Sequence, residues 1–246
     1  MRLFGRPPRE RRDKRNGYDD GHDDHAVPMS DAELLAGGVM TPLTLPRTLP
    51  PIVDPIIEPF WSGTRILVGF RAGAGGRPAD LSLFDALGDE VEVEEPDIES
   101  ALRESIAADD AIVDGILTDQ ALRGGSGAAP ILESNRKLIW SKGIDAVRRD
   151  PYPNPVVAFV GVDLLRVDGQ SLLDVPLLER KRLLESVLIP GERVRLSAFV
   201  RPPLDPWLFS WKASGFRGVM LKSSNSRYEQ GGSIQWRKVT EIGRHA

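Results

Sequence analysis

From residue 61 onward, apolar residues come in short runs broken by glycine, proline and acidic positions. Residues 65–71 (RILVGFR) predict a strand. Residues 81–84 predict its return, and the glycines of 73–76 lie between them, so the pair reads as a hairpin. Residues 111–118 and 156–167 predict buried strands, the second closed by an Asp168-Gly169 turn. Residues 98–107 predict a helix, with Pro96 before it and Asp97 as its cap. The clearest helix is 176–188, where Leu177, Leu184, Val187 and Leu188 fall on one stripe and Asp174 is the expected cap. Residues 194–200, 218–222 and 234–239 predict further strands. A short helix is expected at 30–35, capped by Ser30 or Asp31 with Glu33 in its first turn. Between it and residue 61 stand Pro42, Pro46, Pro50, Pro51, Pro55 and Pro59, which hold that segment extended and keep it from being a helix. No internal repeat is visible. The pattern is that of an α+β chain with an antiparallel bias and helices between hairpins.

Composition changes this picture at one end. Residues 1–30 are poor in apolar side chains. Arg2, Arg6, Arg9, Arg11, Arg12, Lys14 and Arg15 make a basic head, and Asp19, Asp20, Asp23 and Asp24 an acidic patch. This stretch is expected to be a disordered charged tail, with one domain over 31–246. A solvated tail is the plainer reading. The sharper one is an arm that touches nucleic acid or a partner, and His22 and His25 beside the aspartates offer a metal-binding variant of it. The net charge of −4 confines any nucleic-acid contact to a local patch. With no cysteine, disulfides and thiolate metal sites are excluded. The apolar run at 156–165 falls well short of the roughly 18–20 residues of a membrane helix, and no secretory signal is seen, so no membrane association and a cytoplasmic location are expected. The glycines of 73–76 match neither phosphate-loop spacing and read as a turn.

Four segments, in one order, resemble the covalent nucleotidyltransferases that include ATP-dependent DNA ligases and capping enzymes. In residues 157–188, Asp163, Leu164, Leu165, Asp168, Gly169, Leu172, Pro176, Leu177, Arg180, Leu183 and Leu184 match a ligase strand, Asp-Gly turn and Pro-Leu-x-x-Arg helix. In residues 215–239, Gly218, Val219, Met220, Lys222, Tyr228, Trp236 and Lys238 match a Glu-Gly-Val-Met-x-Lys strand followed by Trp-x-Lys. Val113-Asp114-Gly115 resembles the family's Asp-Gly-Glu strand, and Glu58, Pro59, Gly63 and Arg65 match its Glu-Pro-Lys-x-Asp-Gly-x-Arg nucleophile loop. The resemblance covers about residues 40–240. It implies a nucleotidyltransferase (ATP-grasp-like) fold of antiparallel sheets flanked by helices. Only residues 241–246 follow the last strand, so the OB-fold domain of full ligases is expected to be absent.

The departures fall on the chemistry. In the family the loop lysine attacks the α-phosphate of ATP, which requires an amine lone pair. Phe60 stands at that position, and no lysine occurs between Lys14 and Lys137. The loop aspartate is Ser62, the metal-placing glutamates are Ile116 and Arg217, the adenine-stacking aromatic is Val162, and the last lysine is Thr240. Isoleucine offers a metal nothing, and arginine repels it. The resemblance therefore implies no catalytic residue and no divalent metal. It leaves Glu58, Arg65, Arg217, Lys222 and Lys238 as nucleotide- or phosphate-binding candidates, with ATP or AMP as the ligand and Arg217 taking over the metal's charge-neutralising role. The implied function is a ligase-like pseudoenzyme associated with DNA repair or recombination. Its partners would be a nucleotide or a 5′-phosphorylated nucleic-acid end, and an active ligase or other repair protein. Two other readings stay open. One is a working ligase whose nucleophile is Lys137, Lys142, Lys212, Lys222 or Lys238. The other is an interaction protein whose cleft is filled by Phe60, Val162 and Ile116.

Overall fold

The structure, a computed structural model, describes residues 31–42, 51–93, 96–120, 130–132, 137–140, 157–203 and 205–240. In chain order these form α1 (Asp31–Ala36), β1 (Met40–Pro42), β2 (Pro55–Pro59), β3 (Thr64–Arg71), β4 (Asp80–Asp85), β5 (Glu90–Val93), α2 (Pro96–Ser105), β6 (Asp110–Thr118), β7 (Pro130–Leu132) and β8 (Lys137–Trp140). There follow β9 (Ala158–Val167), β10 (Gln170–Ser171), α3 (Leu177–Val187), β11 (Val194–Leu196), α4 (Asp205–Ala213), β12 (Gly218–Ser223), β13 (Gly231–Ser233) and β14 (Trp236–Thr240). The expected tail over 1–30, with His22 and His25, lies outside the described residues.

The large sheet runs β10-β9-β6-β3-β4-β5-β8-β7, with β11 added on β9. A three-stranded sheet runs β14-β12-β2, and β1 pairs with β13. The expected hairpin is β3 with β4, antiparallel from Ile66↔Asp85 to Arg71↔Asp80. The Asp168-Gly169 turn has both residues at positive φ (45° and 80°), and the Asp168 carboxylate accepts from the Asp109 N–H at 2.8 Å. Antiparallel pairs dominate, but β11 lies parallel to β9, β1 to β13 and β5 to β8. The strand expected over 194–200 thus shortens to three residues and takes the less common direction.

Alternation along the central strands divides the molecule into layers. Ile66, Val68 and Phe70 of β3 point into a core shared with Ile98 and Leu102 of α2 and Leu184, Val187 and Leu188 at the end of α3. Leu67 points the other way, into a second core with Leu34 and Leu35 of α1 and Met220, Tyr228 and Trp236 of the small sheet. A third cluster, Ile57, Trp211 and Val219, seats α4 on the small sheet's far face. The layers are therefore helices, large sheet, small sheet and helix.

One expected cap is corrected. The residue before α3 is Pro176, and no side chain caps the helix. Instead, the Leu177 and Leu178 N–H groups donate to the carbonyls of Ser226 and Ser224, each at 3.0 Å. The loop after β12 thus satisfies two of the donors that a helix start leaves open, and it ties α3 to the small sheet without Asp174.

Candidate cleft between the two sheets

Register decides which side chains meet in the space between the sheets. In the small sheet Glu58 lies opposite Met220 and Met220 opposite Lys238, while Ile56, Lys222 and Trp236 make the next row. Directly opposed residues share a face, so Glu58, Lys222 and Lys238 all turn toward the large sheet. From the large sheet, Arg65 of β3, Asp114 of β6 and Asp163 of β9 face them, on the same side as Leu67, Ile112 and Leu165.

The small-sheet wall is crowded with charge. Glu58 is 1 % exposed and lies 2.7 Å from Lys181 Nζ and 3.0 Å from Lys222 Nζ. Ser197 donates to the same carboxylate at 3.3 Å and accepts in turn from the Trp61 indole N–H at 3.1 Å. Burial pushes the Glu58 carboxyl up, but Lys181 and Lys222 outweigh burial and hold it below its ordinary value. One carboxylate cannot balance two ammonium groups. Burial and the nearby Lys181 and Arg65 charges bring the Lys222 amine down to about 8, against the pull of Glu58. The Trp236 ring lies under it, 4.2 Å from Nζ.

The large-sheet wall is balanced. Arg65 donates to both oxygens of Asp114, at 2.6 Å through Nη2, and the Tyr228 hydroxyl donates to the same carboxylate at 2.8 Å. Arg65 is raised above its ordinary value, because Asp114 overcomes the effect of burial. Burial and Asp114 together push the Tyr228 phenol well up. Arg180 of α3 donates to both oxygens of Asp163 at 2.8 Å, and both residues are fully buried. Its third nitrogen reaches the carbonyls of Val175 at 2.6 Å and Ser226 at 3.2 Å.

The loop between β2 and β3 closes over this arrangement. Gly63 has to be glycine, since a Cβ there would come within 2.2 Å of the Leu117 carbonyl oxygen. That approach keeps the loop against β6, and the Ser62 N–H donates to the Gln120 side chain at 2.9 Å. Phe60, half-buried, packs against the second core, with Lys238 Nζ standing 3.5 Å from its ring centroid. Trp61 meets Phe216 edge to face at 4.7 Å.

Of the five expected phosphate contacts, the structure gathers four. Glu58 and Lys222 are buried and engaged with each other. Arg65 is engaged with Asp114. Lys238 is exposed, with the Phe60 ring beneath it. Arg217 stands apart. It precedes β12 by one residue and follows the alternation of Val219, which faces α4 rather than the cleft. Among the lysines weighed as substitute nucleophiles, Lys142 and the Lys137 side chain lie outside the described residues. Lys212 is on α4, and only Lys222 and Lys238 border the cleft. Sequence reasoning missed Lys181. Its signal was present, since Arg180 and Lys181 interrupt the apolar stripe of Leu177, Leu184 and Val187, and charges on a buried stripe need buried partners. Among the described residues, no group of three or more His, Asp or Glu is arranged to hold a metal. No described helix is long and apolar enough to cross a membrane. A separate groove of about 740 Å³, bordered by Arg71, Asp80, Ser82, Arg103 and Asp110, is lined by none of the five.

Residues 69–240 match the family described as the ATP dependent DNA ligase domain, which covers most of the 246-residue chain. The chain belongs to the ATP-dependent DNA ligase domain family. A DNA ligase of Methanothrix thermoacetophila is 31% identical over 153 residues, 60% of this chain and 26% of that one. A DNA ligase of Caldivirga maquilingensis is 28% identical over 159 residues, 61% of this chain and 25% of that one. This ligase-family domain therefore spans about a quarter of the length of these relatives. In fold it is similar to the ligase domain from M. tuberculosis LigD, with a TM-score of 0.54 at 21% identity over 82% of this chain and 58% of that one. It is likewise similar to a mycobacterial DNA ligase D complexed with ATP and MES, with a TM-score of 0.52 at 19% identity over 82% of this chain and 60% of that one. The α+β nucleotidyltransferase architecture expected from the sequence is the one observed.

The family implies ATP, so the residues present must be tested against it. The covalent step does not fit them. No amine extends from the nucleophile loop, Lys222 is buried against Glu58, and isoleucine and arginine stand where the family has its metal-placing carboxylates. Contact with a phosphate from outside fits better, because Lys238 is exposed and has no carboxylate partner among the described residues.

Proposed function

We propose that this ligase-family domain is a non-adenylating module that holds a nucleotide phosphate or a 5′-phosphorylated nucleic-acid end beside an active repair or recombination ligase. The observation that carries this reading is the contact between Phe60 and Lys238. Phe60 stands at the position that the resemblance gives to the nucleophile, and the exposed Lys238 amine rests 3.5 Å from its ring centroid. Behind it the charges are already committed, with Glu58 tied to Lys181 and Lys222, and Arg65 to Asp114. An incoming phosphate would thus be met at the rim by Lys238, without a metal. Calorimetry in EDTA tests this. A 5′-phosphorylated oligonucleotide binds more tightly than its 5′-hydroxyl twin, and Lys238→Ala erases the difference. No binding of ATP, AMP or the phosphorylated end would instead favour a purely structural role for the domain.

The same contact favours one second reading, a working ligase with a displaced nucleophile. Lys238 reaches the Phe60 ring from β14, so its amine lies at the nucleophile loop without belonging to it. Incubation with ATP labelled in the α-phosphate and a divalent metal, followed by denaturation, separates the two. The non-adenylating reading expects no label on the chain, and label that disappears in Lys238→Ala would replace it.

A further inference from the structure

Away from the cleft lies the corner where α4 turns into β12. We infer that this corner is a landing surface for a single nucleic-acid strand, with the exposed Phe209 ring for a base and Lys212 and Arg217 for the backbone. The inference rests on the reading of the cleft rim as a phosphate-end site, and it supplies that site with the rest of its ligand.

On α4 only Trp211 is buried. Phe209 is 79% exposed and Trp207 is 49% exposed, an unusual display for side chains that gain so much from burial. The helix is held from beneath by Trp211 and Leu208 on Ile57 and Val219, and Trp207 leans on Trp211 at 6.3 Å between ring centroids, so Phe209 is the ring not needed to anchor it. Its C-terminal turn is closed by the Phe216 N–H donating to the Trp211 carbonyl at 3.0 Å. That turn brings Lys212 and Arg217 to the same corner. Both are exposed, and neither has a carboxylate partner among the described residues. Phe209 and Lys212, three residues apart, are neighbours on the helix surface. Asp205, the one acid on α4, is in its first turn, roughly 10 Å away along the axis. The corner is thus positive in a chain whose net charge is −4. It also adjoins the cleft, since Phe216 packs edge to face on Trp61, the residue after Phe60.

This combination selects the occupant. Protein interfaces bring aromatic residues and arginine together but are depleted in lysine, and here Lys212 is the cation beside Phe209. A polyanion with unstacked bases uses both features at once, because every base presents a π-face and every phosphate a charge. A duplex keeps its bases stacked on one another and leaves Phe209 without a partner. The parity of Arg217, which follows Val219 away from Lys222, assigns it to this corner rather than to the cleft.

Fluorescence anisotropy with labelled oligonucleotides about 12 nucleotides long tests the inference, using single strands and duplexes with 5′-phosphate or 5′-hydroxyl ends. Single strands bind more tightly than duplexes. Phe209→Ala weakens single-strand binding about tenfold. Lys212→Ala lowers the slope of log affinity against log salt by about 0.7. Both variants melt like the parent protein, because both side chains are exposed, and both retain the preference for a 5′-phosphate. If Phe209→Ala and Lys212→Ala bind single strands as the parent does, the inference fails. It also fails if the parent binds no strand, or if Phe209→Ala changes self-association instead. If the 5′-phosphate preference is missing while both variants still weaken binding, the corner stands and the reading of the cleft falls.

Discussion

The two walls of the cleft carry similar numbers of charges and use them differently. On the large-sheet side each cation has its own carboxylate, Arg65 with Asp114 and Arg180 with Asp163, and every pair is bidentate. On the small-sheet side one carboxylate, Glu58, serves both Lys181 and Lys222. Asp163 and Arg180 of the balanced wall lie in the stretch over 157–188, as does Lys181 of the other wall, whereas Arg65 and Asp114 lie before it. The unbalanced wall adjoins the loop where the nucleophile is replaced. The bidentate pairs hold sheets and helix together, while Phe60 stands at the position that the resemblance gives to the nucleophile.

The sharpest way to break the comparison is Arg180→Met. It strands the Asp163 carboxylate in a fully buried place and removes donors from two carbonyls, so it should cost about 3–5 kcal/mol in urea unfolding. A loss below about 1 kcal/mol would mean that the balanced wall is not what fixes the fold. Glu58→Gln should cost less, about 2 kcal/mol at neutral pH, because Lys222, already brought down to about 8, can shed its proton when its partner is removed. If Glu58→Gln proves the more damaging of the two, the contrast between the walls is inverted.

A pH scan sharpens the same point. The Lys222 amine falls from its ordinary 10.5 to about 8 in the folded chain, so its burial opposes folding in full below pH 8. Above pH 8 the folded state loses that proton while the unfolded chain keeps it. Stability should therefore rise from about pH 8 toward 10.5, and Lys222→Met should flatten the rise. Of two other groups, Glu58 acts below this window and Tyr228 overlaps its upper end. Glu58, held below its ordinary 4.5, contributes stability that is lost on acidification. Tyr228, raised above its ordinary 10.0, contributes stability that is lost above pH 10. Unfolding midpoints measured between pH 7 and about 9 read the Lys222 effect apart from those of Glu58 and Tyr228. The smallest effect is expected from Tyr228→Phe, which removes the hydroxyl donated to Asp114 and the acceptor of the Met40 N–H, at about 1.5 kcal/mol.

How much of this was legible in the sequence follows the range of the interactions. β3 with β4, β6, β9 and α3 were readable because hydrophobic period and turn chemistry are local, as at Asp168-Gly169. The pattern failed at α4, where Pro203, Pro206 and exposed aromatics hide a helix of nine residues. It also failed for the cap of α3, which comes from Ser224 and Ser226 far along the chain. In the cleft, the motif resemblance brought Glu58, Arg65, Lys222 and Lys238 to notice. It could not say that Lys222 is spent on Glu58, or that Lys181 shares that carboxylate, because both facts depend on how β2, β12 and α3 meet in space. The side of β12 on which Arg217 falls was likewise a matter of register, which a single sequence does not fix.

The central claim is that this ligase-family domain forms no lysyl-adenylate. The most direct measurement is the intact mass of the protein after incubation with ATP and a divalent metal, followed by denaturation to strip bound nucleotide. An unchanged mass is the predicted result. A gain of one AMP, mapped to Lys238 or to any other lysine, would contradict the account.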